Sequence, residues 1–346
     1  MTHADYVKLL KPLLPKHAFE PAPRKLIPAG VHTVIIVAGW LSFRFLRPAY
    51  WPILTIVIGH SLACLAFFAH ELSHRSIIRG SKMIRGLELL FWSLNFVPPT
   101  MWDKLHNESH HARPNTNDDP DRRFTMREKS PATAAFAAIF FPHRKLKYNV
   151  LCLLQFVTYI LRHVAAVFYV GGKKPSINTF KPQYGKADRL RILGEILFIV
   201  LLQRLAFLAV GRNWSAYLWA SPLAIFFTSA VVMIYVFTNH FLNPLGDGTD
   251  PVKATTSVIV PTMFDLLHFN FSYHTEHHLF PNMNSEYYPV LSGLLVERFS
   301  GEYNRILMST AWSRLFALDS FAQAPKIDAV ATSHPQQSLS DRGAIQ

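Results

Sequence analysis

Cysteine and charged residues are both scarce in this chain of 346 residues. Its two cysteines, Cys64 and Cys152, lie in apolar segments, so we expect neither a disulfide framework nor a thiolate metal site. Charged residues make up 16% of the chain, whereas apolar residues make up 50%. This balance is typical of a multi-span membrane protein and argues against a soluble or disordered chain.

Long uncharged stretches recur along the sequence. Residues 26–43, 48–70 and 213–246 contain no Lys, Arg, Asp or Glu, and each is long enough to cross a bilayer, which takes about 20 residues. Residues 192–210 form another apolar stretch, interrupted only by Glu195 and Arg204, which we interpret as a structural pair. The first stretch follows a polar arm and lacks a small-residue cleavage site, so we expect a retained anchor.

These stretches predict an all-α integral membrane protein with about four transmembrane helices in two hairpins. Residues 87–97 are too few to cross and end at two prolines, so they are expected at the interface. Residues 148–171 are long enough, but Arg162 and His163 interrupt them, and we interpret them as interfacial or re-entrant. We expect residues 1–25 to form a cytoplasmic arm, 26–323 the membrane domain and 324–346 a disordered tail.

The net charge of +13 does not by itself indicate a nucleic-acid partner. Basic residues of membrane proteins collect in cytoplasmic loops. Here they cluster in residues 8–25, 75–85 and 173–191, which places all three regions in the cytoplasm. Arg44 and Arg47 then lie outside, against this rule.

Three histidine clusters are the candidates for metal binding: HELSH at 70–74, HNESHH at 106–111 and HTEHH at 274–278. Within each cluster, two imidazoles three or four residues apart share one face of a helix. Eight imidazoles are too many for one ion, and imidazole suits iron, zinc, copper or nickel. The pattern predicts two metal ions in a histidine-rich cap, held by His70, His74, His106, His110, His111, His274, His277 and His278.

Metal-bound imidazoles need a polar partner for their other ring nitrogen. The candidates for this role are Glu71, Glu108, Glu276 and Asn270, with surface carboxylates as the alternative for the glutamates.

Other polar residues near the clusters receive ordinary interpretations. The acidic residues 118, 119 and 121 are expected in a polar turn. His32 and His60 are expected to be neutral and packed between helices, and His268 to orient a ligand or to have no role.

HELSH also matches the HExxH motif of zinc proteases, in which two histidines bind zinc and the glutamate is the general base. An intramembrane protease would use His70, Glu71 and His74, with Asp247 as a candidate third ligand, and would leave the other two clusters unexplained. A metal transporter would instead spread its ligands along several spans.

The order of the three clusters resembles the membrane fatty acid desaturase and hydroxylase superfamily, and acyl-lipid desaturases in particular. The third cluster in its setting, NFSYHTEHHLFPNM followed by YYP at 287–289, is especially similar, and the likeness runs from Trp51 to Leu295. The resemblance implies two non-haem iron ions bound by the histidines, with dioxygen as co-substrate. It also implies that His240, in TNHF, completes the site.

The resemblance further implies an acyl-chain substrate in the bilayer and favours formation of a double bond. A hydroxylase acting on a lipid, carotenoid or alkane stays open as the alternative. The sequence has no HPGG haem-binding motif, so electrons are expected from a separate carrier, such as a ferredoxin or a b-type cytochrome. This carrier would dock on the basic cytoplasmic face, where the active site is also expected.

Overall fold

The computed structural model describes residues 1–116, 119–121, 139–142, 144, 150–168 and 184–318. These residues are mostly helical, which confirms the predicted fold class, and the tail predicted for 324–346 lies outside them. Two short parallel strands pair, β1 (Ser257–Ile259) and β2 (Arg305–Leu307), with Ser257 opposite Arg305. The α-helices are α1 (His3–Leu10), α2 (Leu26–Ser42), α3 (Trp51–Ser73), α4 (Ser81–Leu94), α5 (Pro99–Trp102), α6 (Gln155–Phe168), α7 (Lys186–Ala209), α8 (Trp214–Ala220), α9 (Pro222–His240), α10 (Pro251–Ala254), α11 (Thr262–Leu267), α12 (His274–Leu279), α13 (Tyr288–Phe299) and α14 (Met308–Ala317).

Among the described residues, five helical segments are long and apolar enough to cross a membrane. Four of them coincide with the predicted crossings: Pro23–Ser42, Pro48–Ser73, Lys186–Ala209 and Trp214–His240. The fifth, Val150–Phe168, is the segment that the sequence predicted to be interfacial or re-entrant.

The chain lies at the histidine-bearing face both before and after this fifth segment. Before it, the ring of Phe141 packs 5.3 Å from that of Phe241, next to His240. After it, Asp188 pairs with Lys104 at 3.4 Å, close to the second histidine cluster. A segment whose two ends lie at one face of a membrane crosses it an even number of times. The contacts therefore support the four-crossing arrangement, with Val150–Phe168 as a re-entrant segment.

Helices α3 and α9 pack closely at the centre of the bundle. A Cβ atom on Gly59 would lie 2.6 Å from the carbonyl oxygen of Ala224, so only glycine fits without a shift. The hydroxyl of Thr228 donates a hydrogen bond of 2.9 Å to the carbonyl of Gly59. Small residues allow such close approach between membrane helices. Because α3 carries His70 and α9 carries His240 in their last turns, this packing brings both histidines to one face.

Glu195 of α7 anchors the segment that leads into the second cluster. Its carboxylate accepts hydrogen bonds from the Thr100 backbone at 3.0 Å and the Thr100 hydroxyl at 2.6 Å, and it pairs with Arg85. The predicted pair with Arg204 was wrong, since the Arg204 guanidinium lies 5.6 Å from the ring centre of Phe207. The charge of Glu195 is instead balanced by Arg85 of α4. The two hydrogen bonds from Thr100 hold α5 against α7.

The N-terminal arm folds over the third cluster. His3 Nε2 lies 3.0 Å from the carbonyl oxygen of Leu279, at the end of α12. The hydroxyl of Tyr6 donates to Glu302 at 2.7 Å, and the Tyr6 ring is buried in a small apolar core with α13. The arm thus covers the outer side of α12.

Candidate metal centre

The three clusters lie on different kinds of helix. The first lies at the end of α3 and the third fills α12, where residues four apart share a face. The second lies on a π-helical segment, Asp103–His110, in which the backbone N–H of His111 donates to the carbonyl of His106 at 3.0 Å. This hydrogen bond spans five residues, so His106 and His111 face the same side while His110 faces another.

Nine histidines converge into two groups, and the ligand atoms within each group lie within 4.8 Å of one another. All eight cluster histidines and His240 take part, so each predicted site histidine is brought to the site. The first group consists of His70, His74, His106, His111 and His277, and the second of His110, His240, His274 and His278.

The Nε2 atoms of neighbouring rings face one another at short distances. In the first group, the Nε2 separations are 2.8 Å for His70–His106, 3.2 Å for His106–His111 and 3.1 Å for His111–His277. In the second, they are 2.6 Å for His240–His274, 3.2 Å for His274–His278 and 3.2 Å for His278–His110. Nitrogens that each lie about 2.0–2.1 Å from one ion are roughly 3 Å apart. The rings therefore already have the spacing of ligands that share an ion.

The protonation state of three rings of the first group also fits metal binding. Burial lowers the pKa of His74 to about 3. Burial and the neighbouring imidazoles lower the pKa of His111 and His277 well below the usual value. Neutral imidazole is the form that binds a metal. Moreover, His74 Nε2 is buried without a hydrogen-bond partner among the described residues. Buried polar atoms are usually paired, so a metal ligand is a suitable role for this nitrogen.

Asp119 orients one ring of the second group, a role that the sequence did not indicate. Asp119 was expected in a polar turn, but it is fully buried and its carboxylate lies 2.9 Å from His110 Nδ1. Burial opposes protonation of His110, but the carboxylates of Asp119 and Asp121 outweigh it and raise the pKa of His110 to about 9. Without a metal, a ring with this pKa carries a proton on Nε2 as well, which an ion would displace, while the proton on Nδ1 stays donated to Asp119 and fixes the direction of Nε2.

The Asp119 carboxylate is itself held in place. It accepts hydrogen bonds from the backbone N–H groups of Asn115 at 2.7 Å and Asp121 at 2.9 Å. The Asn115 side chain in turn donates to the carbonyl of His240 at 3.1 Å. The turn thus connects two histidines of the second group. The sequence offered only one indication of this contact, that Asp119 follows His110 by nine residues. Nine residues is not a spacing that places two side chains together on a helix, so the contact was not predicted.

Of the four polar candidates, Glu71 lies nearest to the imidazoles. Its carboxylate is 3.9 Å from His70 Nδ1 and 3.8 Å from His277 Nδ1, on the side of each ring away from Nε2. It also lies 3.7 Å from the Lys25 ammonium, which balances its charge. Neither distance is that of a hydrogen bond: the Tyr288 hydroxyl lies nearer to His277 Nδ1, at 3.2 Å, and His70 Nδ1 is buried without a hydrogen-bond partner in the described part of the chain. The orienting role of Glu71 therefore stays a prediction.

The other three candidates lie elsewhere. Glu276 is buried, where the Ser257 hydroxyl donates to it at 2.5 Å and that of Tyr303 also donates. Glu108 is exposed and pairs with Lys104 at 3.5 Å, so it is the surface carboxylate that the sequence analysis gave as the alternative. Asn270 lines a separate cavity together with Arg24 and Glu286. None of the nine histidines lies on the wall of that cavity.

An apolar cavity reaches both groups of histidines. His70 and His106 of the first group and His110, His240 and His274 of the second lie along its wall. The indole of Trp102 stacks on the His106 ring with centres 4.6 Å apart. The remaining wall is mostly aliphatic and aromatic, and includes Ala66, Phe67, Phe156, Val232, Met233 and Phe271. A second apolar cavity, of about 520 Å³, lies between α6, α7 and α9 and shares Phe156 with the first.

The arrangement does not favour the zinc protease alternative. Asp247, its candidate third ligand, is exposed and accepts hydrogen bonds from Thr249 at 2.9 and 2.7 Å. His70 and His74 instead share their group with three histidines of the other clusters.

Helices able to cross a membrane and a buried site of nine histidines define an integral membrane protein suited to bind metal at one face. Residues 21–310 match the model of the fatty acid desaturase family. The match covers well over half of the chain, which therefore belongs to this family and to the oxidoreductases. The predicted resemblance to membrane desaturases and hydroxylases is thus confirmed.

Proposed function

We propose that this protein is a dioxygen-dependent di-iron desaturase that introduces a double bond into an acyl chain of a membrane lipid. The observation that carries the proposal is the contact between an apolar cavity and two groups of imidazoles. An extended hydrocarbon chain fits an aliphatic and aromatic wall, and the histidines bring the oxidising chemistry to that wall.

Iron is the metal that suits both the ligands and the reaction. The two groups contain imidazoles alone, which iron accepts, and zinc has no redox chemistry. When bound, the two irons would supply the activation of dioxygen that removal of hydrogen from an unactivated methylene requires. The first group would hold one iron and the second group the other.

The residues of the chain position the substrate and exclude water. Phe67, Val232 and Met233 would hold the methylene groups against the imidazoles. Trp102, stacked on His106, closes the wall beside the first group, so that the reacting carbon lies in a dry site. Asp119 would accept a hydrogen bond from His110 Nδ1 and so direct His110 Nε2 at the metal, and the proton on Nε2 is lost when the metal binds.

A separate electron carrier, such as a ferredoxin or a b-type cytochrome, would approach from the cytoplasm. A separate cavity is lined by His111 of the first group and His278 of the second. His3, Arg113 and Asp247 also lie on its wall. The chain has a net charge of +13, and a basic protein attracts an acidic carrier, so we propose that the carrier docks at this cavity and that the active site faces the cytoplasm.

Expression in a host that supplies an electron carrier, followed by mass spectrometry of its fatty acids, tests the proposal. We expect a new acyl product two mass units lighter than its precursor, because two hydrogens are lost. This product should be absent with the His277→Ala variant and present with His17→Ala, which alters an exposed histidine. A product sixteen units heavier would overturn the desaturase assignment in favour of a hydroxylase.

A further inference from the structure

A third cluster of metal-binding side chains lies outside the nine-histidine site. His60 and Cys64 are four residues apart on α3 and therefore share a face. His268, in the turn after α11, lies against that face, and the ligand atoms of the three residues lie within 4.8 Å of one another. Cys64 and His268 are buried and His60 is partly buried.

The distances match those of ligands around a tetrahedral ion. His60 Nε2 and His268 Nε2 are 3.2 Å apart. Two nitrogens bound to one zinc at about 2.0–2.1 Å are roughly 3.3 Å apart at the tetrahedral angle. The Cys64 sulfur lies 3.8 Å from His60 Nδ1, which is not the nitrogen that faces His268, so the thiol or the His60 ring must rotate before all three residues reach one ion.

His268 is held in the orientation that a ligand needs. The hydroxyl of Tyr235 lies 2.8 Å from His268 Nδ1, which directs Nε2 at His60. Burial lowers the pKa of His268 to about 3, so the ring is neutral at pH 7. The Phe67 ring packs 5.0 Å from His268 and helps to fix its plane.

We propose that His60, Cys64 and His268 bind one zinc ion, in a site separate from the nine-histidine centre. Two imidazoles and one sulfur are ligands that zinc accepts, with water in the fourth position, whereas the nine-histidine site offers no sulfur. Zinc binding releases the proton of the Cys64 thiol to solvent, so the thiolate is the form that binds. This revises the expectation that neither cysteine serves a metal.

The zinc ion would fasten the loop that carries the third histidine cluster to α3. His268 is followed by Phe269 and Asn270, both in left-handed backbone conformations, with φ of 55° and 59°. Such conformations are uncommon for residues other than glycine and persist where the surroundings hold them. Phe271 then packs 5.2 Å from both His70 and His274. The third site would therefore hold the loop in the conformation that places α12.

X-ray absorption at the zinc edge, on protein purified without chelators, tests the proposal without any substitution. We expect one zinc per chain with a sulfur neighbour at about 2.3 Å and nitrogen neighbours at about 2.0 Å. Zinc that had replaced iron among the nine histidines would show nitrogen neighbours and no sulfur. The result is thus independent of whether the proposed di-iron assignment holds.

The chain contains only two cysteines, which provides a matched control. The sulfur signal should disappear in Cys64→Ser and remain in Cys152→Ser, and zinc content should fall by about one ion per chain in the first variant alone. His268→Gln should also lose the zinc. Wild-type protein without sulfur-bound zinc, or a sulfur signal that survives in Cys64→Ser, would overturn the proposal.

Discussion

At the scale of single residues, helix type decides which group each imidazole joins. On α12, His274 and His278 are four residues apart and share the second group, while His277 joins the first. On the π-helical segment, His106 and His111 are five apart and share the first group, while His110 joins the second. Each of these two clusters therefore supplies ligands to both groups, which holds the groups side by side.

The sequence predicted which histidines belong to the site, but not how they divide. Composition and cluster spacing identified eight of them, and the family resemblance added His240. The division depends on the π-helical hydrogen bond from His111 to His106, and an α-helical spacing rule does not anticipate it. Asp119 was missed for a related reason, because a turn outside any helix brings it to His110.

Asp119→Asn should weaken the second group. An amide cannot balance the proton on His110 as a carboxylate does, and loss of such an orienting partner typically costs about 10–100-fold in metal affinity or activity. Iron content and product formation measure the effect. The control is Glu297→Gln, the same change of carboxylate to amide at an exposed position, which should match the wild type. Equal iron content in both variants would contradict a role for Asp119 in holding His110.

At the scale of whole elements, tertiary contacts add to what length and composition indicate about the membrane crossings. Val150–Phe168 is apolar enough to cross a membrane, yet the chain lies at the histidine face on both sides of it. The polar interruption at Arg162 and His163 favoured the re-entrant interpretation from the sequence. The pairing of Glu195 with Arg85 was not predictable, since the two residues are far apart along the chain and meet only through packing.

Reporters of membrane sidedness test the re-entrant arrangement. A reporter at the N-terminus and one inserted at Lys174 should lie on the same side, the cytoplasm, while one at Arg47 should lie on the other. Accessibility to a membrane-impermeant label in intact cells provides the measurement. A reporter at Lys174 on the same side as the one at Arg47 would show that Val150–Phe168 crosses the membrane.

Gly59→Ala should loosen the contact between α3 and α9. The added methyl would lie 2.6 Å from the Ala224 carbonyl oxygen, and such overpacking typically costs about 1–3 kcal/mol. We expect a lower melting temperature and reduced activity, because this contact places His70 beside His240. Gly30→Ala is the matched control, since a Cβ there has no atom within 4 Å. A melting temperature for Gly59→Ala equal to that of Gly30→Ala would contradict the packing argument.

At the scale of the whole molecule, two different cavities reach the nine histidines. Five of the histidines line the apolar cavity, and His111 and His278 line the other one. Under the proposed function, a lipid-bound acyl chain and a water-soluble electron carrier would approach one centre through different cavities.

Phe156 borders both apolar cavities and should limit the length of the acyl chain that fits. Phe156→Ala would join the two cavities, so we expect a shift of the product distribution towards longer chains or towards a double bond at another position. Phe226→Ala, which alters the second cavity alone, should preserve the products made from the shortest substrates. Gas chromatography of the fatty acids measures both. Identical product distributions in Phe156→Ala and the wild type would show that Phe156 does not limit the length of the acyl chain.

The most direct test of the central claim is the iron content of the purified chain. Protein prepared without chelators should contain two irons per chain, one for each group of histidines. His274→Ala combined with His278→Ala should reduce the iron content to at most one, because it leaves two of the four imidazoles of the second group, and His17→Ala should leave it at two. One iron per chain in the wild type, or two irons that persist in the double variant, would contradict a dinuclear centre built from these nine histidines.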